Sequence, residues 1–168
     1  MIDTDWRDYL NDAGFFEARF PAQAVADDLT TVTGAATIEV TASAGREVAG
    51  VVVAFVVPMP PRHAASHETV WFDVDTAREY ATAVADAVAA PAQTATQLHG
   101  WSTWETFVPV QVHVSTGRTA VDGVYLDMFE PEHGRAAVLV ARDDAAYLAQ
   151  VIHAAASYLT ATSDSDQR

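Results

Sequence analysis

The strongest constraint on the fold is a run of apolar and β-branched residues at positions 48–57, which ends at the prolines of positions 58–61. A strand with one face in water alternates apolar and polar residues, so an unbroken run is typical of a central strand covered on both faces. Proline cannot donate a hydrogen bond to a strand ladder, so the Pro-Met-Pro-Pro segment ends the strand. The chain is therefore expected to fold around a sheet.

Other segments show the two-residue period of half-buried strands. Residues 36–41 alternate, and residues 107–116 place Val108, Val110, Val112 and Val114 on one face and Gln111 and His113 on the other. Strands are also predicted at 70–74, 124–129 and 137–141. The last two are expected to form a hairpin around the turn at residues 131–134.

The first 34 residues are predicted to form a helical segment. Asp3 would cap a first helix that ends at Gly14. Its apolar residues recur at helical spacing: Trp6, Tyr9, Leu10 and Ala13. Pro21, a good residue for a first helical turn, would begin a second helix that carries Val25 and Leu29 on one side.

Two longer helices are predicted after strands. The first would be capped by Asp75 or Thr76, and the second would begin near Asp143. Their apolar residues recur at helical spacing: Ala77, Tyr80, Ala81, Val84 and Val88 in the first, and Ala145, Leu148, Ala149, Ile152, Ala156 and Leu159 in the second.

These elements predict an α+β fold of two βββα-like halves within one globular domain, related by a possible internal duplication. The halves span residues 35–92 and 106–160, joined by a connection at 93–105 and followed by a flexible tail at 161–168. The helices are expected to cover one face of a mainly antiparallel sheet, or of two small sheets related by a pseudo-twofold axis.

Charge and composition limit the classes of partner. Acidic residues outnumber basic residues 23 to 9, the formal net charge is −14, and all nine basic residues are arginine. This balance argues against direct binding to nucleic acid or to anionic membranes, and it is also typical of a salt-adapted or high-GC source. The sequence starts without a secretory signal and has no cysteine, so we expect a cytoplasmic protein without thiolate chemistry.

One local cluster has the spacing of metal ligands. His63 and His67 are four residues apart and Glu68 follows, so the three could bind zinc or another divalent ion with His113 or His133 as a remote ligand. The competing interpretation is a solvated loop, because three prolines stand just upstream and the glutamate does not follow the first histidine as it does in zincins. No resident cofactor is expected.

The sequence contains no recognisable nucleophile or phosphate-binding motif. It lacks Gly-x-Ser-x-Gly, Ser-x-x-Lys, phosphate-cradling glycine loops and any lysine. Paired acids sit at predicted strand ends and helix starts, where capping explains them. No catalytic residue is assigned, and an enzyme is the less favoured interpretation.

Aromatic residues near the second half predict a partner-binding patch. Trp101 and Trp104 lie in the predicted connection, and Tyr125 and Phe129 flank Asp127 on the predicted outer face of a strand. Tryptophan offers a large contact area at a small cost in side-chain freedom, so these residues suit an interface. The alternative is that the tryptophans close the core between the halves.

These observations favour a small acidic protein-interaction module that is not an enzyme and that binds a protein partner or itself. One alternative is an acidic mimic of nucleic acid that inhibits a DNA- or RNA-binding protein, as proteins of phages or mobile elements do. The other is a metal-dependent enzyme that uses His63, His67 and Glu68.

Overall fold

The computed structural model describes residues 5–26, 32–43, 49–57, 66–90, 93–103, 108–116, 122–130 and 134–166. A short 3₁₀ helix precedes the first strand, and one α-helix follows each set of four strands. The elements are the 3₁₀ helix Trp6–Tyr9, β1 Phe16–Val25, β2 Val32–Ser43, β3 Gly50–Val57, β4 Ser66–Phe72, α1 Val74–Ala89, β5 Ala95–Ser102, β6 Pro109–Ser115, β7 Val124–Glu130, β8 Gly134–Val140 and α2 Arg142–Asp166.

The eight strands form one closed antiparallel barrel in sequence order. The predicted α+β fold with two βββα-like halves is therefore wrong, because the strands do not divide into separate sheets with helices on one face. β8 pairs with β1, and β4 pairs with β5. Neither β1 nor β5 was predicted as a strand, and these two strands supply the pairing that removes the free edges.

The helix predicted to begin at Pro21 is wrong, since residues 16–25 form β1. The buried residues Phe16, Phe20 and Ala24 recur every four positions. This spacing brings side chains to one face of a helix, but it also brings them to one face of a strand, whose period is two. Pro21 occupies an exposed outward position opposite Thr37.

Other boundaries agree better with the sequence. The first predicted helix is reduced to the 3₁₀ turn, which Asp5 caps by accepting a hydrogen bond from the Arg7 amide at 3.0 Å. Asp73, rather than Asp75 or Thr76, caps α1 through a 2.7 Å bond from the Thr76 amide. The prediction that the last helix begins near Asp143 is confirmed.

One hydrophobic core joins the barrel and both helices. The inward strand residues are mainly valine, alanine and phenylalanine. α2 contacts β1, β2 and β3, whereas α1 contacts β3 to β7, and the helices pack against each other. The helices therefore lie against the inward faces of the strands.

None of the described helices is long and apolar enough to cross a bilayer.

The barrel closes at two short junctions, here called seams. The β4–β5 seam has the register pairs Val70–Ser102 and Trp71–Trp101, and the β1–β8 seam has three pairs between residues 23–25 and 137–139. A helix begins within a few residues of each seam.

An aromatic cluster fixes the N-terminal segment to α2 and β1. The ring of Trp6 packs edge-on against Tyr158 at 5.3 Å, and the hydroxyls of Tyr9 and Tyr147 are 2.7 Å apart. Tyr9 also contacts Phe16, the first residue of β1. Side-chain packing therefore holds this segment, which is too short to be stable as a helix alone.

Replacing Tyr80 by phenylalanine is expected to raise the free energy of unfolding by about 1–2 kcal/mol, because a buried hydroxyl without a partner carries a desolvation penalty. The Tyr80 side chain is fully buried against Phe72, and its hydroxyl has no hydrogen-bond partner in the described part of the chain. Urea denaturation measures the change. Tyr9→Phe, which removes the bond to Tyr147, is the control and should lower stability by about 1 kcal/mol; equal effects of the two variants would contradict the prediction.

Tyr80→Phe should also raise the free energy of unfolding at alkaline pH. Burial, and then the nearby charge of Asp127, raise the pKa of Tyr80 well above its ordinary value. The unfolded chain ionises first as the pH rises, so this tyrosine costs stability above about pH 10. Tyr80→Phe removes that loss.

Candidate functional site

One face of the barrel differs in charge from the rest of the chain. Residues 87–121 contain a single acidic residue, Glu105, although the whole chain has 23. β5 and β6 lie within this stretch and have no aspartate or glutamate in their sequences. A sheet surface without carboxylates is therefore present on a chain with a net charge of −14.

The outward positions of β5 and β6 carry amide, imidazole and indole groups. Gln97 pairs with His113, and His99 pairs with Gln111, so the four side chains lie side by side across the two strands. Trp101 follows on β5. We call these five residues the neutral face. Four of them are exposed, Trp101 by 40%, and His113 is partly buried.

Trp101 lies beside a second tryptophan at the β4–β5 seam. Trp71 pairs with Trp101 in the strand register. Its indole lies over Gly50, where an added Cβ would be 2.0 Å from the Trp71 Nε1 atom. Gly50 therefore provides the space for the Trp71 ring. Trp71 is the direct neighbour, across the strand pair, of the more exposed Trp101.

A buried carboxylate orients His113 at the other end of the neutral face. Asp127 on β7 is the direct cross-strand neighbour of His113, and its Oδ1 atom is 2.7 Å from the imidazole Nδ1. Asp127 is only 4% exposed. The carboxylate accepts a hydrogen bond from Nδ1–H, so Nε2 is the nitrogen available for other interactions.

An outward apolar cluster lies next to this pair. It consists of Val25, Tyr125, Ala137 and Leu139, from β1, β7 and β8. Asp127 pairs in the strand register with Ala137, a member of this cluster, and is itself buried. A charge in such surroundings needs a hydrogen-bonding partner, and His113 provides one.

The imidazole of His113 is held by its carboxylate partner. An aspartate–histidine pair can position a general base, but nucleophilic catalysis also requires a hydroxyl or thiol within reach of Nε2. In the described ranges, the bond to Asp127 is the one hydrogen bond of the His113 side chain. With its proton on Nδ1, the neutral imidazole presents Nε2 as a hydrogen-bond acceptor for a bound molecule.

The predicted partner-binding residues are only partly brought together. Trp101 is at the surface, but Tyr125 and Asp127 are 3% and 4% exposed, so they do not form the exposed row that was predicted. Phe129 is partly buried, with the Arg135 guanidinium 5.9 Å from its ring centroid. Trp104 lies outside the described residues. That these five residues bind a partner stays a prediction.

Of the predicted metal ligands, the structure describes the side chains of Glu68 and His113. His63 and His133 lie outside the described residues, as does the side chain of His67, whose backbone pairs with Val56. Glu68 is on β4, and His113 is on β6, with β5 between them. The described residues include no group of three or more histidines and carboxylates that could hold a metal ion.

Sequence reasoning missed Gln97 and His99, because residues 93–105 were interpreted as a connection. The missed signal was the alternation of Gln97, His99 and Trp101 with Leu98, Gly100 and Ser102. Glycine and serine at inward positions hide this period from a hydrophobicity pattern.

Comparison of the chain with protein-family models, with curated proteins and with solved structures finds no match.

Proposed function

We propose that this chain is a protein-interaction module and that the neutral face is its docking surface. The observation that carries the proposal is the 40% exposure of Trp101 on strands without carboxylates, in a chain with a net charge of −14. Large exposed aromatic residues mark interaction sites when they belong to a patch with few charges.

The chemistry of the neutral face suits a protein partner. Charged side chains are depleted at interface centres because their desolvation is costly, whereas tryptophan is enriched among the residues that dominate binding energy. The amides of Gln97 and Gln111 each offer donors and an acceptor, and His113 presents an oriented Nε2. The face thus combines an apolar anchor with polar groups that give specificity.

Site-specific photo-cross-linking tests this function. A photoreactive phenylalanine analogue placed at Gln111 in the native cells is expected to give a discrete cross-linked protein product, and the same probe at Ser157, exposed on α2, should not. Because tryptophan anchors typically contribute 2 kcal/mol or more, Trp101→Ala should reduce the product at Gln111 by roughly tenfold or more.

Phe15→Ala is the matched control for Trp101→Ala, since Phe15 is also aromatic and is 59% exposed on the N-terminal side of β1. It should leave the product at Gln111 unchanged. Thermal unfolding verifies that both variants are folded. Equal labelling from Gln111 and Ser157 would overturn the assignment of the neutral face.

A further inference from the structure

We infer that the open edge of β5, the side of residues 95–99 turned away from β6, binds an extended basic peptide segment of another protein as an added strand. This site is distinct from the neutral face, because it is formed by backbone groups and by α1 and not by the outward side chains. The unpaired backbone of β5, the groove beside it and the covering of the corresponding edge of β1 support the inference.

The β4–β5 seam leaves most of one edge of β5 without a partner strand. β4 pairs only with the last two residues of β5, whereas β6 pairs with residues 95–101 along the other edge. The Ser102 amide donates to the Val108 oxygen, just before β6, and alternate residues of an antiparallel strand direct their backbone groups to opposite sides. The N–H and C=O groups of Gln97 and His99 therefore point away from β6, where the described part of the chain offers them no hydrogen-bond partner.

A groove between this edge and the exposed side of α1 has room for an added strand. Its volume is about 400 Å³, and its lining includes Leu98 of β5 and Ala83 of α1. Side chains alternate along a strand, so a peptide residue opposite Leu98 points toward α1 and its two neighbours point outward. Leu98 and Ala83 suit an apolar side chain at that position.

The free charges of the groove are acidic. Glu79 and Asp86 line it from α1, and both are exposed and without an ion pair in the described ranges, whereas Arg78 contacts Asp75 and Thr160. A peptide with a basic side chain is therefore favoured, and the net charge of −14 adds to the attraction. Because alternate residues of a strand share a face, we expect the basic residue two positions from the apolar one.

The chain itself covers the corresponding edge of β1. β8 pairs with only three residues of β1, and α2 follows β8 as α1 follows β4. At the other end of β1, Leu10 forms an antiparallel bridge with Phe16, and the adjoining Tyr9 packs against Tyr147 of α2. Only residues 90–94 link α1 to β5, too few to fold back over the open edge. A strand from another molecule is therefore needed to pair with it.

Peptide selection followed by hydrogen exchange tests the site. Random peptides of about ten residues, displayed on phage and selected on the full chain, should be enriched in a lysine or arginine two positions from an apolar residue. A synthetic peptide of the enriched sequence should slow exchange of the Gln97 and His99 amides by about tenfold or more, as measured by NMR, because each then donates a hydrogen bond.

N-methylation of the synthetic peptide tests main-chain pairing without changing the protein. In a strand added to an edge, alternate amides donate to that edge and the others point to solvent. Methyl groups on successive peptide nitrogens should therefore weaken binding about tenfold at every second position and less than about twofold at the positions between. Calorimetry measures the dissociation constants.

Charge reversal in the groove tests the recognition of the basic residue. Asp86→Lys should weaken peptide binding about fivefold, because it replaces an attraction by a repulsion. Asp164→Lys makes the same charge change at an exposed position near the end of α2 and should alter the dissociation constant less than about twofold. Thermal unfolding verifies that both variants are folded, and equal effects of the two variants overturn the inference.

A selection that enriches no peptide, or a bound peptide that leaves the Gln97 and His99 amides unprotected, overturns the inference. N-methylation with equal effects at successive positions does so as well. Protection of the two amides that increases with protein concentration in the absence of peptide identifies a second copy of the chain as the occupant and also overturns it.

Discussion

Replacing Gly100 by alanine is expected to lower the free energy of unfolding by roughly 3 kcal/mol, because the new methyl group has no space at the β4–β5 seam. An added Cβ would lie 2.3 Å from Val70 Cγ2 and 2.8 Å from the backbone oxygen of Trp71. Side chains can rotate away, but the backbone oxygen belongs to one of the two residue pairs that join the strands. The substitution therefore pushes the seam apart.

Urea denaturation measures this effect, and Gly34→Ala is its matched control. Gly34 is in β2, and a Cβ added there meets no atom within 4 Å. Without a steric conflict, alanine restricts the unfolded chain and should change stability by less than about 1 kcal/mol, in the stabilising direction. Similar losses in the two variants would show that the close approach at Gly100 is not the cause.

Removing His113 is expected to cost about 3 kcal/mol, since His113→Ala leaves the Asp127 carboxylate buried without its partner. The bond between them is 2.7 Å long, and the Asp127 side chain is 5% exposed. The adjacent cluster of Val25, Tyr125, Ala137 and Leu139 offers the carboxylate no charged partner.

A double-mutant cycle separates the bond from simple packing. Asp127→Leu combined with His113→Ala replaces the carboxylate by an apolar group, so the double variant should be more stable than His113→Ala alone. Urea denaturation of the four proteins gives the coupling. Additive losses would mean that the two side chains do not depend on each other.

The sequence predicts strands and helices correctly where the apolar residues follow one period, either that of a strand or that of a helix. Residues 48–57 and 107–116 contain β3 and β6, and the apolar stripes around Tyr80 and Leu148 belong to α1 and α2. The barrel was not predictable in this way. The spacing of Phe16, Phe20 and Ala24 fits both the helical period and the strand period. In β5, Gly100 leaves an inward position without a side chain, so the hydrophobicity pattern does not show the strand period there. Each of these two strands, β1 and β5, forms one side of a seam.

The candidate site was predictable only in part. Trp101 and His113 were singled out because indole and imidazole are chemically informative wherever they occur. Their neighbours depend on the strand register, which joins Gln97 to His113 and His113 to Asp127. Register is fixed by pairing across the barrel, and a period of two cannot specify it without knowledge of which strands are adjacent.

The β1–β8 seam also sets the order of events during synthesis. One edge of β1 stays unpaired until residues 137–139 leave the ribosome, because these residues are its partners in the seam. At a synthesis rate of about 5–20 residues per second, this edge stays unpaired for roughly ten seconds. An unpaired strand edge can pair with neighbouring nascent chains. The abundant carboxylates repel such neighbours during this interval, because each chain carries the same sign of charge.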